Sequence, residues 1–135
     1  MEGKSTLVLL LRLRGRKICD RLLRRGMAWK GKHMIIRWME GAPHHPASRP
    51  EVAALYAGTL ASAKLDKSAV NRNRMRRRCR EALRLILPDI AASHSIQLLI
   101  APRSSSLKAP FPMLQDDLRA FLSQRLHGGS QAPRR

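Results

Sequence analysis

Residues 64–83 read KLDKSAVNRNRMRRRCREAL. Met75, Cys79, Ala82, Leu83 and, just beyond the stretch, Ile86 recur at helical spacing and share one arc. Ser68 supplies an N-cap and Pro88 follows the end, so the pattern predicts a helix over 68–87. From 64 to 80, Lys64, Lys67, Arg72, Arg74, Arg76, Arg77, Arg78 and Arg80 are opposed by Asp66 alone, with Glu81 just beyond. On the helical wheel Arg74 and Arg78 flank the apolar arc on one side, Arg80 lies on the other edge with Arg76 just inside it, and Arg77 and Arg84 point away from the core. Glu81 is placed to pair with Arg77 at i, i+4. The Arg72–Arg76, Arg74–Arg78 and Arg76–Arg80 pairs repel, each costing a free helix a few tenths of a kcal/mol. A charge run of mixed sign is usually a solvated face, but a single-sign arginine run on a capped helix points to a polyanion. Arginine's planar fork grips phosphate oxygens at two points.

The rest of the chain agrees with this reading. Its 135 residues suit one domain, and 44% hydrophobic residues suffice for a core, which excludes a wholly disordered chain. Aromatics make up only 4%, so the core is expected to rest on aliphatic side chains. A formal net charge of +18 argues against a small-molecule enzyme with an ordinary surface and for nucleic acid or anionic membrane as partner. A second basic block runs from Arg12 to Arg37, with ten Lys or Arg against Asp20. No HExxH, GxSxG, Walker or GxGxxG motif occurs, and acids are scattered, so any chemistry is expected to come from a partner. His44 and His45 stand in a proline-rich loop without a third ligand and read as solvated, and Asp116-Asp117 as helix residues rather than a metal pair.

Outward from the basic helix, residues 5–26 have helical spacing, with Gly15 weakening the middle so that the helix starts as late as Arg16, and with Gly26 as its stop. HMIIRWM (33–39) reads as a strand and EGAPHHPASRP (40–50) as a loop. VAALYAGTLASA (52–63) suits helix or strand equally. SIQLLIA (95–101) is a strand, 102–112 a loop and 113–126 an amphipathic helix with Leu114, Leu118, Phe121 and Leu122 inward. Helix, one or two strands, helix, strand, helix make an α+β domain. The expected organisation is an N-terminal extension over 1–11, one basic domain over 12–126 and a flexible basic tail over 127–135. Cys19 and Cys79 lack zinc spacing and read as reduced buried thiols. Leu7–Leu11 is too short for a signal or membrane segment, so a cytoplasmic protein is expected.

The segment 64–83 resembles the basic helix of the bacterial ribonuclease P protein subunit, written roughly K-x-x-G-x-A-V-x-R-N-R-x-K-R-x-x-R-E-A. Ala69-Val70, Arg72-Asn73-Arg74, Arg76-Arg77 and Arg80-Glu81-Ala82 match in register. The flanks follow, with 13–26 similar to the first helix, 95–102 to the strand ending in A-x-P and 113–126 to the last helix; the likeness covers residues 12–126. It implies an α/β sandwich with a small four-stranded sheet and a left-handed β-α-β crossover carrying the RNR helix, a handedness composition cannot supply. It implies an accessory subunit of an endoribonuclease that removes 5′ leaders from precursor tRNA, with hydrolysis by the catalytic RNA and Mg²⁺ held through that RNA, none by the protein. Partners would be the catalytic RNA and precursor tRNA, with no membrane and no DNA.

The same resemblance assigns Lys64, Lys67, Arg72, Asn73, Arg74, Arg76, Arg77 and Arg80 to the catalytic RNA. It assigns Arg16, Cys19, Leu23, Lys32 and Arg37 to a cleft for the single-stranded leader. Three departures stand out: Lys67 replaces the family's glycine, Arg78 an apolar helix residue, and Cys19, Leu23 and Arg37 its cleft aromatics. Arg37 and Lys32 are then expected to hold the leader by charge where stacking, worth about 1–3 kcal/mol per base, is missing. The competing readings are a structural RNA-binding protein of ribosomal type, a DNA-binding factor, for which arginine at nearly every position blurs base readout, and a membrane-surface helix, for which aromatic anchors are lacking.

Overall fold

The run Ile96–Pro102 is the central strand, β5, of a five-stranded sheet, and Ile96 to Ile100 are all buried. A strand covered on both faces reads as a continuous apolar run. β5 pairs parallel with β4 (Ala54–Thr59) and antiparallel with β3 (Met34–Glu40). β2 (Met27–Lys30) adds antiparallel to β3 and β1 (Leu9–Arg12) parallel to β4, giving the order β1-β4-β5-β3-β2. Helix α1 (Arg16–Arg25) lies between β1 and β2, α2 (Ala69–Ile86) between β4 and β5, and α3 (Phe111–Leu126) after β5. The computed structural model describes residues 9–90, 92 and 94–126.

Strand alternation sorts the side chains between two cores. Met34, Ile36 and Trp38 of β3, Leu55 of β4 and Ile96, Leu98 and Ile100 of β5 meet Cys79, Ala82, Leu83 and Ile86 of α2 and Leu114, Leu118, Phe121 and Leu122 of α3. On the other face Leu22, with Ile18 and Cys19, packs α1 against Leu13, Ala54, Tyr56 and Leu99. Two helices thus cover one face and one ten-residue helix covers the other. The few aromatics are concentrated rather than absent: Phe121 meets Trp29 and Trp38 with ring centroids 5.7 and 5.9 Å apart, and the Arg125 guanidinium lies 4.9 Å from the Trp38 ring centre. Desolvation there lowers the Arg125 pKa from its ordinary value.

The α+β class, α2 and its Ser68 cap match the sequence reading, with Asn71 N–H donating to Ser68 Oγ at 3.2 Å. Two expectations change, at residues 9–11 and in the strand count, while the late start of the first helix is as the sequence indicated. Residues 9–11, assigned to an extension and read as helical, form β1 with Arg12, because the otherwise open edge of β4 offers them a parallel partner. The first helix therefore begins at Arg16, after Gly15 at φ 100°, a conformation that favours glycine. The sheet has five strands rather than four, and the ambiguous 52–63 segment supplies β4. The rest of the extension, 1–8, and the tail over 127–135 lie outside the described residues. The β4-α2-β5 unit joins neighbouring parallel strands, so the basic helix is itself the crossover.

Candidate nucleic-acid interface

The loop into α2 is organised by Asp66. Its carboxylate accepts from Ser68 N–H at 2.8 Å and from Asn71 Nδ2 at 3.2 Å. Arg72 donates through Nη1 to the carbonyls of Asp66, at 2.7 Å, and Lys67, at 3.1 Å. Arg76 donates to the Ala61 carbonyl at 3.3 Å and to Asn73 Oδ1. Both arginines are half-buried and so tie the loop 61–67 to the helix. This brace includes Lys67, whose carbonyl is one of its acceptors.

The remaining cations face outward. Lys64, Lys67, Arg74, Arg77 and Arg80 are exposed and have no hydrogen-bond or ion-pair partner among the described residues; Asn73 is exposed beside them. The expected Arg77–Glu81 pair does not form. Glu81 instead accepts from Arg84 Nε at 2.8 Å and Nη2 at 3.0 Å, which is the fork geometry a carboxylate prefers. The Arg84 hydrogen bond holds the Glu81 carboxyl below its usual pKa, with the Arg80 charge adding to the effect. Arg77 is thereby left without a partner among the described residues.

Arg78 has a different role from its neighbours. Its guanidinium donates to the Ser106 carbonyl, to Leu107 O at 3.0 Å and to Ala109 O at 2.6 Å. These carbonyls lie in and after the 3₁₀ turn Ser104–Leu107, so Arg78 fastens the segment between β5 and α3 to α2. The wheel position flanking the apolar arc is what lets one arginine reach that segment.

Of the residues expected at a leader cleft, three lie on α1, Arg37 meets that helix at Leu23, and Lys32 stands apart. Arg16, Cys19 and Leu23 follow one another along α1, and Arg37 of β3 donates to the Leu23 carbonyl at 3.2 Å. Leu23 is 39% exposed, leaving an apolar surface beside that guanidinium. Burial, then the Asp20 charge, raises the Cys19 thiol pKa. Lys32 lies instead in the β2–β3 turn, where its carbonyl accepts from Ser105 Oγ at 3.5 Å. That turn meets the segment Arg78 holds, away from α1.

A cleft of about 640 Å³ opens where β1 ends, lined by Arg12, Leu13, Cys19, Gly58 and Arg80 among others. It brings Cys19 of the expected leader set and Arg80 of the expected catalytic-RNA set to one opening. Gly58 keeps it clear: a Cβ there would meet Leu99 Cδ1 at 3.3 Å and Leu13 Cβ at 3.4 Å. Arg12 and Leu13 were not foreseen, because their place depends on β1 pairing with a strand more than forty residues away. Among the described residues no group of three or more His, Cys, Asp or Glu is placed to hold a metal ion, and no helix is long and apolar enough to cross a membrane.

A mixed sheet whose crossover helix presents arginines without partners among the described residues, beside an open cleft, defines a small basic α+β domain. The sequence model of the ribonuclease P family matches residues 10–125. The ribonuclease P protein component of Prochlorococcus marinus is 31% identical over 112 residues, 78% of this chain and 86% of that protein. That of Chloroflexus aurantiacus is 48% identical over 56 residues, 42% of this chain and 41% of that protein, so the match spans under half of the relative's length. In structure, the RNase P protein of Thermotoga maritima superposes with a TM-score of 0.65 at 17% identity, over 84% of this chain and 96% of that one. The Staphylococcus aureus RNase P protein gives 0.62 at 17%, over 85% and 95%. The chain belongs to the ribonuclease P protein family.

Proposed function

We propose that the protein is the accessory subunit of the ribonucleoprotein endonuclease ribonuclease P, binding the catalytic RNA through α2 and the 5′ leader of precursor tRNA in the cleft beside α1. The observation that carries this reading is the outward row Arg74, Arg77 and Arg80 with Lys64 and Lys67, without partners among the described residues while Arg72, Arg76, Arg78 and Arg84 are engaged within the protein. Substrate RNA and catalytic RNA repel one another. A fixed row of cations between them weakens that repulsion and favours the substrate-engaged, Mg²⁺-bound geometry. Mg²⁺ and the hydrolytic step belong to the RNA; the protein contributes position and charge. Along the side of α1 that meets the cleft at Cys19, Arg37 and Arg16 meet leader phosphates while Leu23 and Cys19 give the bases an apolar wall. Lys32 acts outside this cleft, at the β2–β3 turn.

Reconstitution with a bacterial ribonuclease P RNA at low Mg²⁺ tests the assignment. Cleavage of precursor tRNA is expected to rise with protein, and an Arg74→Gln/Arg77→Gln/Arg80→Gln variant is expected to bind that RNA with a salt slope shallower by about three. RNA binding without stimulation of cleavage identifies a structural RNA-binding protein instead. A precursor-tRNA affinity that ignores leader length removes the cleft role.

A further inference from the structure

The second basic block has its own surface, which neither the α2 row nor the cleft uses. Helix α1 carries five cations and one carboxylate, Asp20. With Leu22 facing the sheet, a 100° step per residue puts Arg16, Cys19 and Leu23 toward one side, the cleft side. Lys17, Arg21 and Arg24, at i, i+4 and i+7, fall within a narrow arc on the side turned away from it. All three are exposed, and none has a hydrogen-bond or ion-pair partner among the described residues, Asp20 included. The stripe is about 10 Å long at 1.5 Å per residue. It lies across the sheet from α2, because α1 packs on the Tyr56 and Leu99 face while α2 packs on the Leu55 and Leu98 face.

We propose that the Lys17–Arg21–Arg24 stripe docks the phosphate backbone of an RNA duplex, so that one protein holds two RNA segments, one on each face of its sheet. Charge complementarity selects a polyanion. The composition of the stripe selects a duplex over a single strand. Single-strand grooves combine cations with side chains on which bases stack. This stripe has no aromatic or large apolar member; the exposed Leu23 is on the opposite side of the helix. Duplex RNA is met through its phosphates and shape, which a rigid row of cations matches without reading sequence. The two-segment arrangement rests on the reading of α2 given above, whereas the duplex contact itself does not.

The test has two arms, both on the full chain. In the first, the free protein is titrated with a blunt RNA hairpin of about one helical turn, over a salt series. Lys17→Gln/Arg21→Gln/Arg24→Gln is expected to weaken binding at least tenfold at low salt and to make the log–log salt slope shallower by about three. Glutamine keeps helix propensity, and an unchanged thermal midpoint shows that the variant folds. In the second arm, protein held on immobilised ribonuclease P RNA is offered the hairpin. The parent complex is expected to capture it, and the α1 variant to stay on the immobilised RNA within threefold of parent affinity while losing capture. Hairpin affinity that is the same in parent and α1 variant overturns the proposal. So does a single strand of equal length that binds as tightly and depends equally on the three cations. If the protein ignores the immobilised RNA, the α2 reading fails while the first arm still decides the duplex contact.

Discussion

Replacing Arg78 by alanine separates a structural arginine from its RNA-facing neighbours. The substitution removes the donors to Ser106 O, Leu107 O and Ala109 O, which join α2 to the segment before α3. A hydrogen bond from a charged donor contributes about 1.5–3 kcal/mol, and a buried carbonyl left unpaired costs about 1–3 kcal/mol. The three bonds share one half-buried guanidinium and water reaches part of the site, so the net loss is about 2–4 kcal/mol rather than the sum. At about 3–5 °C per kcal/mol for a chain of this length, Tm falls by roughly 6–20 °C. Calorimetry or circular dichroism reads the shift, and Arg78→Lys recovers part of it. Below its midpoint the variant is expected to bind RNA with the parent's salt slope. A Tm within about 2 °C of the parent, joined to a slope shallower by about one, refutes the clamp and returns Arg78 to the RNA-facing set.

Ser68→Ala removes the cap of α2 and is expected to cost about 1 kcal/mol in urea unfolding. Gly31→Ala places a Cβ 2.6 Å from the Trp29 ring and 2.7 Å from Asp117 Oδ2, the oxygen that accepts from His33 N–H; a loss of about 1–3 kcal/mol in thermal or urea unfolding is expected. Cys79 is buried and its thiol is pushed up to about 12 from 9.0, chiefly by desolvation. The unfolded chain releases that proton first, so this stabilisation is whole below pH 9 and is lost as pH rises toward 12. Relative to Cys79→Ala, parent stability should fall by up to about 1.4 kcal/mol per pH unit across that window; parallel curves contradict the burial account.

Helix α2 was legible because everything that makes it is local: a 3.6-residue period, a serine cap and a following proline. β5 was legible for a related reason, since its apolar run is too short for a helix and is bounded by polar residues. β1 was not, because Leu9–Arg12 gains its conformation from Ala54–Ala57, and Leu7–Leu11 alone fits a helix as well. β4 stayed undecided until its neighbours on both sides were known. At the interface the residue types were readable but their division of labour was not. Arg72 and Arg76 turn inward to carbonyls that the 61–67 loop places there, and Arg84 takes Glu81 from Arg77. Sequence spacing allowed both pairings of Glu81. Lys32 parted from Cys19, Leu23 and Arg37 because the β2–β3 turn carries it to the Ser105 segment.

The central place of β5 has a consequence for biosynthesis. The sheet is two unfinished ribbons, β1-β4 and β3-β2, until the strand ending at Pro102 arrives to join them. Before then both arginine-rich helices have been translated, while β5, against which both pack, and α3, which packs on α2, have not. A nascent chain stalled before this strand would expose strand edges and bare guanidinium groups together on a ribosome rich in RNA. Chains ending before residue 102 should therefore fail to fold and adhere to polynucleotides indiscriminately, since the pairings that order the molecule close last and over long sequence distances.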